Sequence, residues 1–191
     1  MTRTFDPERA VEPERLARLV EAGARAPSAG KAQGWHLVVL EGAETARFWD
    51  RTLPPERRAG FAWPGLLHAP VVALPLADAE AYVSRYAEPD KAATGLGRSA
   101  AAWPVPYWTV DAAFSVMSLL LAAEAEGLGT LFFGVFRGEA ELRADLGIPD
   151  RLQLLGAIAI GWPSPRGAGR AGASARRPRR PVSEIVHRGG W

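Results

Sequence analysis

Between Asp111 and Glu126 the chain is almost wholly apolar, running Ala112-Ala113-Phe114-Ser115-Val116-Met117-Ser118-Leu119-Leu120-Leu121-Ala122-Ala123. A helix that is apolar all round has to be covered on every side. In a chain of 191 residues, cover of that kind comes from a central core position or from a subunit interface. The length, with a hydrophobic content of 48%, allows one sizeable core and therefore one domain over residues 1–191.

The elements around this helix follow from periodicity and from stop signals. Pro13-Glu14-Arg15-Leu16 opens an amphipathic first helix with Leu16, Leu19, Val20 and Ala24 at helical spacing. His36 to Leu40 reads as a strand ended by Glu41-Gly42, and a helix centred on Arg47, Phe48 and Trp49 follows. Leu53-Pro54-Pro55 breaks that helix ahead of a short second one towards Trp63, and Ala69 to Leu76 reads as a buried strand. Residues 77–110 show the least regular pattern and end in Trp103-Pro104-Val105-Pro106-Tyr107-Trp108, a composition suited to a rigid aromatic wall. Gly127-Leu128-Gly129 closes the apolar helix before a strand, Thr130 to Val135. A short helix from Glu139 to Leu146 is closed by Gly147, and Leu154 to Gly161 reads as another buried strand. From Ser164 to Ser174 the composition is that of a flexible linker, and the basic run Arg176 to Pro181 leads into Val182-Ser183-Glu184-Ile185-Val186-His187.

Several function classes drop out. The chain has no cysteine, which excludes disulfides and thiolate chemistry or thiolate metal sites. His36, His68 and His187 are scattered and offer no ligand spacing, and no Ser/His/Asp or paired-carboxylate constellation is visible. No stretch reaches about 18 consecutive apolar residues, and the first residues lack an apolar leader core, so the expectation is a soluble cytoplasmic protein without membrane contact. The net charge of +2 reflects a modest excess of arginine near the C-terminus, weak grounds for a nucleic-acid partner, and none is expected.

The segment Ala26-Pro27-Ser28-Ala29-Gly30-Lys31-Ala32-Gln33-Gly34-Trp35 carries most of the functional information. Pro27, Ser28 and Gly30 stop a helix, and Gly30 and Gly34 let the backbone come close to something flat. Unpaired backbone groups at a helix end suit the donor and acceptor edge of an isoalloxazine ring. They equally suit an ordinary helix-to-strand connection.

This segment resembles the APS-x-x-N-x-Q-P-W motif of the nitroreductase family. The run from Asp111 to Thr130 is similar to that family's central dimer helix, D-x-A through L-L-L-A-A to G-L-G-T. Its L-R-x-x-L-G-I-P and A-x-x-x-G-x-P elements recur at Leu142 to Pro149 and at Ala157 to Pro163, so the resemblance covers nearly the whole chain. It implies an α+β fold with a central mixed, mainly antiparallel sheet flanked by helices, in a homodimer with an extended C-terminal arm over 164–191. It implies flavin mononucleotide (FMN) held between subunits, with Pro27, Ser28, Ala29, Lys31 and Gln33 along one edge. Arg3 would lie near the flavin N1 and O2, and backbone N–H groups at Phe133 and Gly134 would face N5 and O4. The family's N-terminal phosphate-binding Arg and Ser have no counterpart here. Arg177 and Arg179 match its C-terminal R-x-R phosphate pair, whose planar forks suit a phosphate. Lys31 stands where the family has Asn, and it offers only donors. Tyr107 and Trp108 are placed by the same resemblance at the substrate pocket.

The implied activity is transfer of hydride from NAD(P)H through the flavin to nitro compounds, quinones or similar electron-poor small molecules, with no side chain acting as nucleophile. Three alternatives stay open at this point: a flavin-dependent oxidase or dehydrogenase of another substrate, a non-catalytic flavin-binding or storage protein, and a deazaflavin in place of FMN.

Overall fold

The computed structural model describes residues 1–164 and 176–191. Five strands, β1 (Trp35–Glu41), β2 (Val71–Asp78), β3 (Gly129–Phe133), β4 (Leu152–Leu154) and β5 (Ala157–Gly161), form one sheet in the order β1-β2-β5-β3. Every described pairing is antiparallel, with β4 joining β2 beyond the end of the β5 ladder. β2 has both neighbours and both faces covered, and all eight of its residues are buried.

The single strand expected from Leu154 to Gly161 is in fact two. β5 pairs β2 as far as Ala73 opposite Ile158, and β4 takes over at Leu76 opposite Leu154. Between them lies Pro75, which is tolerated in a central strand because of this interruption. Its carbonyl accepts from Leu155 N at 3.0 Å, so the N–H that proline lacks falls on the same side, against the break at Leu155-Gly156.

Six helices complete the described fold: α1 (Pro13–Ala24), α2 (Thr45–Thr52), α3 (Pro55–Arg58), α4 (Ala79–Ala87), α5 (Tyr107–Ala125) and α6 (Glu139–Leu146). Because side chains alternate across a strand, β2 feeds two cores. Val71 and Ala73 pack with Leu16 and Leu19 of α1 and with Val116, Leu119 and Ala123 of α5. Val72, Leu74 and Leu76 pack on the other face with Phe48 and Trp49 of α2 and Leu142 of α6.

One expectation needs correction. Residues 77–110 contain a regular helix, α4, whose N-cap Asp78 accepts from Glu80 N at 2.9 Å, and α5 starts at Tyr107, one turn before Asp111. The apolar helix is covered by its own chain on one side only. Ala112, Ser115, Val116, Leu119 and Ala123 are buried, whereas Phe114, Met117 and Leu121 on the opposite side are 48%, 51% and 58% exposed. By length and composition α5 qualifies as a membrane-crossing helix, yet its buried row packs on α1 and the sheet as a core helix does.

The N-terminal segment lies along the free edge of β3. Thr2 N donates to Thr130 O at 2.8 Å, Asp6 N donates to Trp162 O at 2.9 Å, and Phe5 between them is fully buried. At the other end, residues 176–191 are exposed throughout, with a turn at Val182–Glu184 held by Arg180 and Glu184. The linker expected over 164–174 lies, apart from Ser164, outside the described residues.

Candidate functional site

Five of the residues singled out from the sequence, Ser28, Gln33, Arg3, Phe133 and Gly134, line two cavities that share no lining residue. The first, of about 90 Å³, lies beside the loop after α1 and is lined by Ser28, Gln33, Trp35, Tyr82, Asp111 and Ser115 among others. Pro27 prevents α1 from continuing, and Ser28 is extended before a tight turn over Ala29–Lys31. Within and after that turn Gly30, Lys31 and Gln33 all adopt left-handed backbone, with φ of 60°, 58° and 54°. Only glycine does so without cost, and at Gly30 a Cβ would also stand 2.7 Å from the Tyr86 ring.

Two strained non-glycine residues persist only where their surroundings over-determine them. Here the surroundings are α4 and α5. The buried Asp111 carboxylate accepts from Ala29 N at 2.7 Å and from the Tyr82 hydroxyl at 2.9 Å through one oxygen. Arg85 Nε donates to Gly30 O at 2.8 Å, while its terminal nitrogens are held by Asp90 at 2.7 and 2.8 Å. Ser28 Oγ accepts from Gln33 N at 3.1 Å. Asp111, Tyr82 and Arg85 were not selected from sequence as site residues, yet they hold the loop that was.

Burial first, and then the hydrogen bond to Asp111, push the Tyr82 phenol well above its ordinary range. The folded state therefore keeps its proton where the unfolded chain, with an ordinary pKa of 10.0, releases it. The associated stability is present below that value and falls as pH rises through it. Urea midpoints measured from about pH 8 to about pH 11 should decline more steeply for the wild type than for Tyr82→Phe.

The second cavity, of about 550 Å³, receives Arg3, Phe133 and Gly134. Its walls are aromatic: the Trp49 and Phe133 rings stack at 5.9 Å with 5° between planes, and Phe48 and Phe61 flank Trp49. Arg3 reaches it because Thr2 and Phe5 on either side are anchored, and its guanidinium lies 5.5 Å from the centre of the Trp63 ring. Gly134 follows the last ladder pair, Phe133 opposite Ala157, at the exposed lip of the cavity.

Pro27, Ala29 and Lys31 belong to the loop without lining either cavity, and Pro27 and Lys31 are exposed. Tyr107 and Trp108 also line neither. They join Trp103, at 6.0 and 6.2 Å, in the aromatic group on the Tyr82 side. Arg177 and Arg179 are exposed in the C-terminal segment. The indole N–H groups of Trp35 and Trp49 are buried without an acceptor among the described residues, and one borders each cavity.

A sequence model of the nitroreductase family matches residues 1–162. A protein of Thermus thermophilus named NADH dehydrogenase is 30% identical over 174 residues, spanning 81% of this chain and 79% of its own length. A protein of Archaeoglobus fulgidus that carries the name NADH dehydrogenase/NAD(P)H nitroreductase is 24% identical over 159 residues, 82% of this chain and 76% of its own. Among solved structures, a nitroreductase in complex with FMN from Exiguobacterium sibiricum superimposes with a TM-score of 0.70 at 19% identity, covering 97% of this chain and 91% of that one. The family model spans most of the 191 residues, and the chain belongs to the nitroreductase family.

Proposed function

We propose that the protein is an FMN-dependent oxidoreductase that takes electrons from NAD(P)H and delivers them to nitro compounds, quinones or similar electron-poor acceptors, in a site completed by a second copy of the chain. The observation that carries this reading is the division of the site. The loop and the aromatic cavity sit apart on one chain, and the same chain leaves Phe114, Met117 and Leu121 uncovered on the helix that holds the loop. A second copy docked on that helix supplies the cover and brings one chain's loop to the other's cavity. The names of the relatives from T. thermophilus and A. fulgidus, and the FMN complex from E. sibiricum, support the same chemistry.

The residues present fit the cofactor. The cavity has flat aromatic walls and a buried indole N–H in want of an acceptor, with a guanidinium at one side and backbone past its ladder at the lip. Bound FMN supplies the two-electron chemistry, accepting a hydride from NAD(P)H and returning the electrons to the acceptor. Arg3, fixed by its anchored neighbours, offsets the negative charge that reduction places on the pyrimidine side of the ring. The Gly134 N–H offers a donor that does not titrate, and the aromatic walls keep water from the reacting face. Arg177 and Arg179, exposed and carried on the arm, hold the phosphate. For a quinone acceptor the balance is one NAD(P)H and one proton consumed, with NAD(P)⁺ and quinol formed.

The test is the visible absorption spectrum of the purified protein before and after NADPH is added anaerobically. A flavin spectrum that bleaches establishes the reductive half of the reaction. A flavin that stays oxidised points to another donor or to an oxidase. Protein that takes up no FMN when soaked with it overturns the reading.

A further inference from the structure

We infer that the acceptor reduced at this site is an anionic aromatic compound, an aromatic carboxylate in the first instance, and that Arg137 recognises its charge. The inference rests on the function proposed above and goes on to the class of substrate. Arg3 and Arg137 are the charged side chains that line the larger cavity among the described residues, and no carboxylate lines it. Arg3 is engaged with the Trp63 ring and is assigned to the pyrimidine side of the cofactor. The cofactor phosphate falls to the arm, which leaves Arg137 over.

Its position is built rather than incidental. Arg137 ends the loop that leaves β3, and the next residue, Gly138, is held left-handed with a φ of 67°. A Cβ at Gly138 would stand 2.1 Å from Arg51 O, so the backbone beside Arg137 lies directly on α2, the helix that supplies Phe48 and Trp49 to the cavity wall.

Of the carboxylates close by in the sequence or on α2 and α6, three have other partners, and Glu141 on α6 lines neither cavity. Glu139 pairs with Arg143, Asp50 with Arg58, and Asp145 with Arg47 and Arg51. No ion pair or hydrogen bond to the Arg137 side chain is present among the described residues. An exposed guanidinium free of local partners, at the mouth of an aromatic cavity, attracts anions and pairs with a planar carboxylate through two parallel bonds. The walls select a flat ring, and the guanidinium selects one with a negative substituent. Lys31, exposed on the loop that the second copy brings, adds a further cation and no acid.

Two near-isosteric acceptors, 4-nitrobenzoate and 4-nitrobenzamide, separate charge from shape. The amide is intrinsically the easier to reduce, so the readout is how the ratio of kcat/KM for the two changes on substitution. With the holoprotein and NADPH, Arg137→Gln should lower the carboxylate-to-amide ratio about tenfold, mainly through KM, and Arg137→Lys should retain part of it. Calorimetric binding of the unreactive pair benzoate and benzamide to oxidised holoprotein gives a readout independent of turnover. Benzoate should bind about tenfold more weakly to Arg137→Gln than to wild type, with benzamide little changed.

A ratio unaltered by the substitution, or equal binding of benzoate by both proteins, overturns the inference. So does a flavin that NADPH bleaches but that neither nitro compound reoxidises. A flavin that NADPH does not bleach is a failure of the proposed function instead, and the binding measurement still decides the role of Arg137.

Discussion

Replacing Asp111 by alanine is expected to cost about 3 kcal/mol of stability and to weaken FMN binding by two orders of magnitude or more. A part-buried donor, Ala29 N–H, and a buried one, the Tyr82 hydroxyl, share one Asp111 oxygen at 2.7 and 2.9 Å. Hydrogen bonds to a charged acceptor contribute about 1.5–3 kcal/mol each, and a deletion also leaves both donors unsatisfied. In a chain of this size that corresponds to a fall in Tm of roughly 10 °C. The loop suffers more than the global average, because Lys31 and Gln33 sit left-handed at about 1–2 kcal/mol each and depend on the clamp. Once Ala29 is released, Arg85 on Gly30 O is the remaining hydrogen bond from α4 or α5 to the turn backbone among the described residues.

Asp111→Asn keeps the shape and one acceptor oxygen, so it should recover about half of the stability loss and a larger share of the cofactor affinity. Thermal melting of the protein without cofactor, beside fluorescence titration with FMN, separates the two effects. If Asp111→Ala melts within about 2 °C of wild type and keeps its FMN affinity, the carboxylate is not what holds the loop.

The contrast between α6 and α4 shows what was legible in the amino-acid sequence. Glu139 to Leu146 could be read to the residue because Gly147 ends it in the left-handed conformation, a signal that depends on nothing distant. α4 is of similar length and likewise buries one side chain fully, Tyr82, but it ends at Glu88 in extended backbone, with no glycine to mark its end. Its N-cap, Asp78 ahead of Glu80, was the signal available. The interruption at Gly156 was likewise announced by a glycine inside a strand pattern.

The order of the site residues along the chain could be read, and their partition between two cavities could not. That partition is set by where α5 and β3 lie in the folded sheet, which is a tertiary fact. Asp111 illustrates the limit. As a lone acid opening an apolar run it reads as a helix-start residue, and only the approach of Ala29 and Tyr82 from elsewhere turns it into an anchor. Arg137, next to a glycine in a loop, reads as a solvated charge until the absence of carboxylates around the aromatic cavity gives it a use.

Leu121→Glu is expected to convert the proposed dimer into a folded monomer that no longer retains FMN. Phe114, Met117 and Leu121 recur at helical spacing on the side of α5 that faces away from α1 and the sheet, each about half exposed or more. A row of three large apolar side chains on a helix that is otherwise core is costly to leave in water, since burying each contributes about 1.5–3 kcal/mol. In a two-fold interface the same patch occurs on both copies, so a single substitution is met twice. Burying an unpaired carboxylate there costs several kcal/mol per copy, enough to outweigh what the leucine contributes.

The loss of FMN follows from the division of the site: the Arg3 cavity and the Ser28–Gln33 loop share no residue on one chain, so a monomer offers only half of the binding surface at a time. Light scattering on a size-exclusion column gives the mass, and absorbance of the same peak gives the FMN content. Circular dichroism should stay near that of wild type, because Leu121 makes little of the chain's own core. Met117→Lys, on the same face, should behave alike. A Leu121→Glu protein that remains dimeric with full FMN would place the second copy elsewhere. A monomer that keeps FMN would show that one chain closes the site by itself.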